Sequence, residues 1–401
     1  MKVTWIIPDT YGFLLDELEC LSQKQISIKV LSGQPIADRI KKRLPLVQFH
    51  YCPPKSILWA SIFTRIFDKL WKLHGWRLVR QSYFTGSIAG IYSVLNKLEA
   101  DNKSDLIHCH FAYPSGIGGG LIQCPQILTL RGYDILTIAN YGSLWNYFFR
   151  SNLMAYAKSN IIVTGGSEYI VSRARQILGS YVDIRYLKEG LPTLSFQSAD
   201  VFTRSRLNID QDATVILSVG NLVEIKNHDL LLRVFAEVVY SQNKTLHLII
   251  CGDGPNRSAL EALSKSLKIE RQVSFMGQLK REELTDIYKV SDIFVHTSMS
   301  EGFGNVIVEA MLFELLVVAS PVGVAADIIN HKKNGYLPQL GSHVSWVECL
   351  KEAIANIEQF TDQLDVNKAM VEKDFTIEAR IDSYINLYKE TIESFKNNAG
   401  N

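Results

Sequence analysis

Apolar residues along the chain gather in short Val/Ile/Leu-rich runs of strand length, separated by longer stretches in which they recur at helical spacing. The first series of runs is VTWIIPD, ISIKVLSG, VQFHYC, DLIHCHF, QILTLRG, NIIVTGG and DIRYLKEG. After the polar segment PTLSFQSADVFTRSRLNIDQDA, a second series reads VILSVGN, LHLIICGDG, VSFMG, IFVHTS and LLVVAS. Near-continuous apolar strands alternating with helices predict parallel sheets covered on both faces. The runs close on Gly, Asp, Asn or Ser, where an open α/β sheet presents its ligand-facing loops. Two α/β domains are therefore expected, over residues 1–193 and 194–373. Residues 374–401 keep apolar side chains at Ile377, Ile381, Tyr384, Ile385, Tyr388 and Ile392, a helical period. The pattern leaves open what this last helix packs against, and a return to the first domain is one arrangement.

At 401 residues the chain has room for two cores. Its 42 basic and 41 acidic residues leave a net charge of +1, so no global field draws it to nucleic acid and any charged partner must be met locally. Six scattered cysteines, with no ligand spacing, read as reduced thiols of a cytoplasmic protein. The apolar run before Pro8 is too short for a signal-peptide core, and no stretch reaches the roughly 18 residues a bilayer span needs. One segment stands apart. Lys55, Arg65, Lys69, Lys72, Arg77 and Arg80 face a single acid, Asp68, while Trp59, Phe63, Phe67 and Trp71 recur every four residues. Either the aromatic stripe fills the first core while the cations stay wet, or this is an interfacial helix on an anionic membrane surface. The expected location is the cytoplasm, with a peripheral position on the inner face of the cell membrane left open.

Residues 297–311, TSMSEGFGNVIVEAM, carry the chemistry. IFVHTS reads as a strand and EGFGN as a turn into a helix starting near Asn305. Gly302 and Gly304 let a ligand approach the backbone. The free N–H groups of the first helical turn, with the dipole behind them, suit a phosphate. Glu309 lies about a turn into the helix and leans back toward the same ligand. A carboxylate beside a phosphate is unfavourable unless it accepts hydrogen bonds, and ribose hydroxyls are suitable donors. Glu301, before the turn, is placed to accept from hydroxyls on the far side of the phosphates. A nucleotide sugar has this arrangement of groups. The bland alternative is a strand-to-helix turn with a solvated Glu301 and a Glu309 favoured by the dipole.

SEGFGNVIVEAM resembles the E-x7-E motif of the retaining glycosyltransferases of family four, the group 1 glycosyltransferases. The resemblance continues through LSVGNLVEIKNHDLLLRVF, IICGDGPNRSALEAL and VSFMGQLKREELTDIYKVSDIFVHTS, and through DLIHCHFAYPSG and ILTLRGYD in the first half. It implies the GT-B fold: two Rossmann-like domains with parallel sheets facing a central cleft, the first binding the acceptor and the second the donor. It also implies a metal-independent, retaining hexosyltransferase that needs no cofactor. The donor would be a UDP- or GDP-linked sugar and the acceptor a glycan or a polyprenyl-diphosphate-linked glycan, in surface polysaccharide or glycolipid assembly. A nucleotide-sugar epimerase or hydrolase of the same fold, and a non-catalytic nucleotide-sugar binder, stay open beside it.

By the resemblance, Lys226 contacts the diphosphate, Glu309 the ribose and Glu301 the transferred sugar. The backbone of Gly304, Asn305 and Val306 holds the distal phosphate. Gly252 and Gly254 shape the nucleotide loop, the alternative being ordinary loop glycines, with Met276, Gly277, Gln278 and Leu279 near the base. Asn221 stands where relatives often carry an arginine, so one positive charge is missing. In the first domain the resemblance places Gly12, His110, Tyr113, Arg131 and Asp134 on the acceptor side. Arg131 replaces a histidine common in relatives, and a guanidinium cannot act as a general base at neutral pH. It suits clamping a phosphate or carboxylate, the alternative being a structural ion pair such as one with Asp134. His108 and His110 share one side of a strand and lack a recognisable third ligand for a metal. Glu314, Leu316 and Val324 occupy positions where the family has glycine or proline.

Overall fold

The computed structural model describes residues 1–9, 11–53, 90–112, 115, 124–136, 161–179, 182–191, 198, 201–242 and 244–399. The basic, aromatic segment at 55–80 and Tyr113 lie outside the described residues. The chain divides into two compact units: Met1–Gly166, Ile170–Lys188 and Arg380–Asn401 form the first, Ser167–Tyr169 and Glu189–Ala379 the second.

In the first unit the strands are β1 (Lys2–Ile7), β2 (Ser27–Ser32), β3 (Val47–Tyr51), β4 (Leu106–His110), β5 (Gln126–Leu130), β6 (Ile161–Gly165) and β7 (Asp183–Tyr186). They form one parallel sheet in the order β3-β2-β1-β4-β5-β6-β7. Every residue of β4, β5 and β6 is buried, which is why these strands read as unbroken apolar runs. The strand order turns between β1 and β4, the place where open α/β sheets open a crevice at the carboxyl ends of their strands.

The helix Ile377–Ala399 ends the chain and is counted in the first unit from Arg380 onward. Ile381, Tyr384 and Tyr388 are fully buried on its inner face. The Tyr388 hydroxyl accepts from Trp5 Nε1 at 3.1 Å and meets His108 Nδ1 at 2.7 Å. A buried tyrosine hydroxyl needs such partners. They fix the rotation of the helix against β1 and β4.

The second unit has β8 (Thr214–Val219), β9 (Leu246–Cys251), β10 (Val273–Gly277), β11 (Ile293–His296) and β12 (Leu316–Ala319). These run parallel in the order β10-β9-β8-β11-β12. One face is packed by the helices His228–Ser241 and His343–Asn356, through Leu231, Phe235, Trp346 and Leu350. The other is packed by the helix Asn305–Leu312 and by Val371 and Phe375, through Ile307, Val308 and Met311. Each such side chain contributes about 1.5–3 kcal/mol on full burial, so the twin cores hold the sheet rigid beneath its loops. All twelve apolar runs are strands, and the helix after EGFGN begins at Asn305. Here the order turns between β8 and β11.

The six cysteines make no disulfide among the described residues. Glu314, where the resemblance expects glycine, has a left-handed backbone (φ 61°), which a residue with a Cβ adopts under strain.

Candidate functional site

The loops that follow β8 and β11 meet at this second turning point. After β8 the chain runs through Gly220 and Asn221 into a short 3-10 turn, Glu224–Lys226, closed by Asn227 in the left-handed region (φ 55°). The loop after β11 is stitched to it. Thr297 Oγ1 donates to the Lys226 and Asn227 carbonyls at 2.9 and 3.1 Å, Ser298 Oγ to the Ile225 carbonyl at 3.2 Å, and Met299 N–H to the same carbonyl at 2.8 Å. Lys226 and Glu301, 75 residues apart in sequence, thereby become an ion pair.

Glu301 is held from several sides. His296 Nε2, at the end of β11, lies 2.8 Å from Glu301 Oε1, the oxygen that also takes the Lys226 ammonium. A Cβ on Gly323 would lie 2.9 Å from Glu301 Cβ and 2.3 Å from the Phe303 carbonyl oxygen, so only glycine lets the loop after β12 close over the stem (φ 57°). Burial pushes the Glu301 carboxyl upward, but the hydrogen bond and charge of His296 and the charge of Lys226 outweigh it and bring it down to about 2. At neutral pH Glu301 is an acceptor only.

Gly304 takes φ 99° and delivers the chain into the helix Asn305–Leu312. No side chain caps this helix, and the Asn305 and Val306 N–H groups carry no hydrogen bond among the described residues. An uncapped helix start with exposed N–H groups favours an anion. One turn in, Glu309 Oε2 accepts from the Tyr288 hydroxyl at 2.9 Å. The Tyr288 ring is stacked on Phe313, centroids 5.1 Å apart, and is 1 % exposed. Burial raises the Glu309 carboxyl and the Tyr288 hydrogen bond opposes it. Its Oε1 has no hydrogen bond among the described residues.

The glycines of the neighbouring loops have a different reason. Gly220 N–H donates to the Cys251 carbonyl at 2.9 Å, Leu222 N–H to Asp253 at 2.9 Å, and Gly252 N–H to Gly277 at 2.8 Å. A Cβ on Gly252 would sit 2.0 Å from the Gly220 carbonyl oxygen, and one on Gly254 would sit 2.5 Å from that of Leu222. Here glycine is required by the approach of the chain's own backbone. Gly277 is left-handed (φ 71°), Gln278 beyond it is exposed, and Leu279 packs against the core. Asn221 is exposed on the first of these loops.

In the first unit three of the expected acceptor residues, His110, Arg131 and Asp134, face inward. Arg131 is 5 % exposed and its Nη2 bonds Glu17 Oε2 at 2.8 Å, while Arg380 Nε lies 2.8 Å from Glu17 Oε1. The expected phosphate clamp is thus a buried ion pair, and its partner is Glu17 rather than Asp134. Two guanidiniums converging on one carboxylate keep Arg131 inside, because an unpaired buried charge would be far more costly. Asp134 instead ties the loop backbone: its Oδ2 accepts from Ala112 N–H at 2.7 Å and its Oδ1 from Gly132 N–H at 3.0 Å. His110 is fully buried, with Nδ1 3.0 Å from Arg131 Nη2 and Nε2 without a hydrogen-bond partner among the described residues. Burial first, then His108, Arg131 and Arg380, hold it well below the ordinary imidazole value, so it is neutral. His108 is spanned by Tyr388 and by Thr129 Oγ1, both at 2.7 Å, and neither hydrogen bond leaves it free for a metal. Gly12 is exposed, and a Cβ there would meet nothing within 4 Å.

Sequence reasoning did not single out His296, Tyr288, Gly323 or Glu17. Glu17 had a signal: it lies within the buried stripe Leu14, Leu15, Leu18 and Leu21 of the helix Gly12–Ser22, where a carboxylate needs a cation. Tyr288 likewise is buried next to Ile287 with a hydroxyl to satisfy. His296 and Gly323 acquire their roles only from neighbouring loops.

Residues 201–365 match the family model described as Glycosyl transferases group 1. N-acetyl-alpha-D-glucosaminyl L-malate synthase of Bacillus anthracis is 23 % identical over 301 residues, covering 73 % of this chain and 76 % of that protein. Among solved structures, Anabaena Alr3699/HepE in complex with UDP superposes with a TM-score of 0.75 at 17 % identity, over 97 % of this chain and 100 % of that one. WaaG, a glycosyltransferase involved in lipopolysaccharide biosynthesis, superposes with a TM-score of 0.66 at 14 % identity, over 96 % of this chain and 99 % of that one. At these identities the structural likeness carries the fold.

Proposed function

Because this chain is a GT-B-fold protein related to the group 1 glycosyltransferases, we propose that it transfers a sugar, with retention, from a nucleoside-diphosphate sugar to a glycan or lipid-linked acceptor. The observation that carries this reading is the convergence, at the turning point of the second sheet, of one ammonium, one uncapped helix start and two carboxylates. The diphosphate lies over the N–H groups of Asn305 and Val306 and draws on Lys226. Hydroxyls of the ribose donate to Glu309, whose Oε2 is steadied by Tyr288. Those of the transferred sugar donate to Glu301, which is ionised.

Transfer forms a bond from the acceptor oxygen to the anomeric carbon and breaks the bond from that carbon to the phosphate. The acceptor proton passes to an oxygen of the departing phosphate, so no side chain is needed as base. Charge grows on the leaving diphosphate, and a fixed ammonium and helix dipole stabilise it as it grows. Asn221 adds no positive charge, which leaves Lys226 as the side-chain cation named for this role. The acceptor is assigned to the first unit, where Gly12 follows β1 at that sheet's turning point. Buried Arg131 lies beneath that surface, its guanidinium 4.9 Å from the centroid of the Phe13 ring.

The setting we favour is surface polysaccharide or glycolipid assembly, in keeping with the involvement of WaaG in lipopolysaccharide biosynthesis. Among the described residues no helix is long and apolar enough to cross a membrane. A panel of nucleoside-diphosphate sugars, read by thermal shift and then by release of nucleoside diphosphate with acceptor extracts, tests the reading. A stabilising donor whose sugar is recovered on an acceptor with its anomeric configuration kept supports it. Free sugar or an epimer as the product would replace it with the hydrolase or epimerase reading.

A further inference from the structure

The group least explained by donor binding alone is His296. It is 3 % exposed, at the last position of β11, with its ring parallel to that of Phe294 (centroids 6.2 Å apart, 12° between planes). Its register is locked by pairing with Ala319 on β12, and Ser320 N–H donates to its carbonyl at 2.9 Å. The imidazole therefore has a fixed place from which Nε2 reaches Glu301 at 2.8 Å. Both His296 and Lys226 address the same oxygen, Oε1, and Oε2 carries no hydrogen bond among the described residues. Gly323 leaves room for the Glu301 stem, whose Cβ would lie 2.9 Å from a Cβ placed there.

This arrangement poses a conflict that His296 resolves. Lys226 has two calls on one ammonium: Glu301 in the structure as it stands, and the diphosphate when donor arrives. If the lysine alone held the carboxylate, each donor molecule would have to break that pair and leave a buried charge uncompensated. With His296 on the same oxygen, Glu301 keeps a donor when Lys226 turns away.

Resting on the function proposed above, we infer that His296 is a positioning residue for sugar transfer: it anchors Oε1 of Glu301, aims Oε2 at the sugar hydroxyls, and releases Lys226 to the diphosphate. Its effect is confined to the sugar half of the donor. Free nucleoside diphosphate needs Lys226, the helix start and Glu309, but not a correctly aimed Glu301.

The test compares wild type, His296→Ala and His296→Gln by calorimetric titration with free nucleoside diphosphate and by steady-state turnover of the sugar nucleotide found in the panel. Glutamine is chosen because its amide nitrogen reaches about as far as Nε2. His296→Ala is expected to bind the free diphosphate within about twofold of wild type and to lose turnover of the sugar nucleotide by roughly 10- to 100-fold, the range for one hydrogen bond to a charged group. His296→Gln is expected to recover most of it. Equal turnover in wild type and His296→Ala overturns the inference, and so does an equal loss for free diphosphate and sugar nucleotide or a failure of glutamine to recover. If wild type itself binds no nucleoside diphosphate and no sugar nucleotide, the function proposed above fails, and the inference with it.

Discussion

Replacing Glu301 by glutamine isolates the electrostatics on which the proposed donor site depends. The folded carboxyl sits at about 2 against an ordinary 4.5. At about 1.4 kcal/mol per tenfold change, the ionised side chain contributes roughly 3 kcal/mol to the second unit. Little of this is lost to solvent screening, since the side chain is 12 % exposed. Because the folded value lies below the unfolded one, the unfolded chain takes up the proton first. The contribution is complete above pH 4.5 and drains away as the pH falls toward 2. Glutamine cannot titrate. Urea unfolding of wild type and Glu301→Gln at pH 5 and pH 3 should therefore show the wild-type advantage shrink by roughly 2 kcal/mol over that interval. Parallel pH profiles would refute the reasoning: His296 and Lys226 would then not hold the carboxylate in solution.

Three further outcomes are expected. Lys226→Ala and Glu309→Ala should each weaken binding of nucleoside-diphosphate sugar by about tenfold or more in calorimetric titration, as hydrogen bonds to charged groups do; normal affinity and turnover in both would reject the site. Glu17→Gln should destabilise the first unit by about 3–5 kcal/mol, read as a drop in the urea midpoint, because it removes the carboxylate charge that the Arg131 and Arg380 guanidiniums face in the core. His108 and His110 are held far below their ordinary 6.5, by burial above all and then by neighbouring cations. The unfolded chain thus binds protons that the folded one refuses. Protection factors of amides in β4 and β5, with the slower intrinsic exchange at lower pH divided out, should fall as the pH is lowered from 6.5 to 5 and change little above 6.5.

Particular elements show why the fold was more legible than the site. Strands buried on both faces must be apolar at successive positions, so β4, β5 and β6 announce themselves, and the turn residues after them mark the ligand end of each sheet. The start of the helix Asn305–Leu312 was legible for a similar local reason: glycine at 304 permits a backbone, φ 99°, that other residues resist. Arg131 was not legible in this way. Its partner lies 114 residues away on another element, and a guanidinium looks the same in sequence whether it faces a ligand or a buried glutamate. Gly252 and Gly254 show the converse: loop glycines that suggested a ligand are required by the loop after β8. The pairing of Lys226 with Glu301 depends on both local turns and on the threonine and serine that join the loops.

The measurement that bears most directly on the central claim is a crystal structure of the chain with the sugar nucleotide that stabilises it. The account predicts a phosphate oxygen within about 3 Å of both Lys226 Nζ and the N–H groups at the start of the 305–312 helix, with the ribose on Glu309 and the sugar on Glu301. Nucleotide bound elsewhere, with the Lys226–Glu301 pair intact and Glu309 still covered by Tyr288 alone, would contradict it.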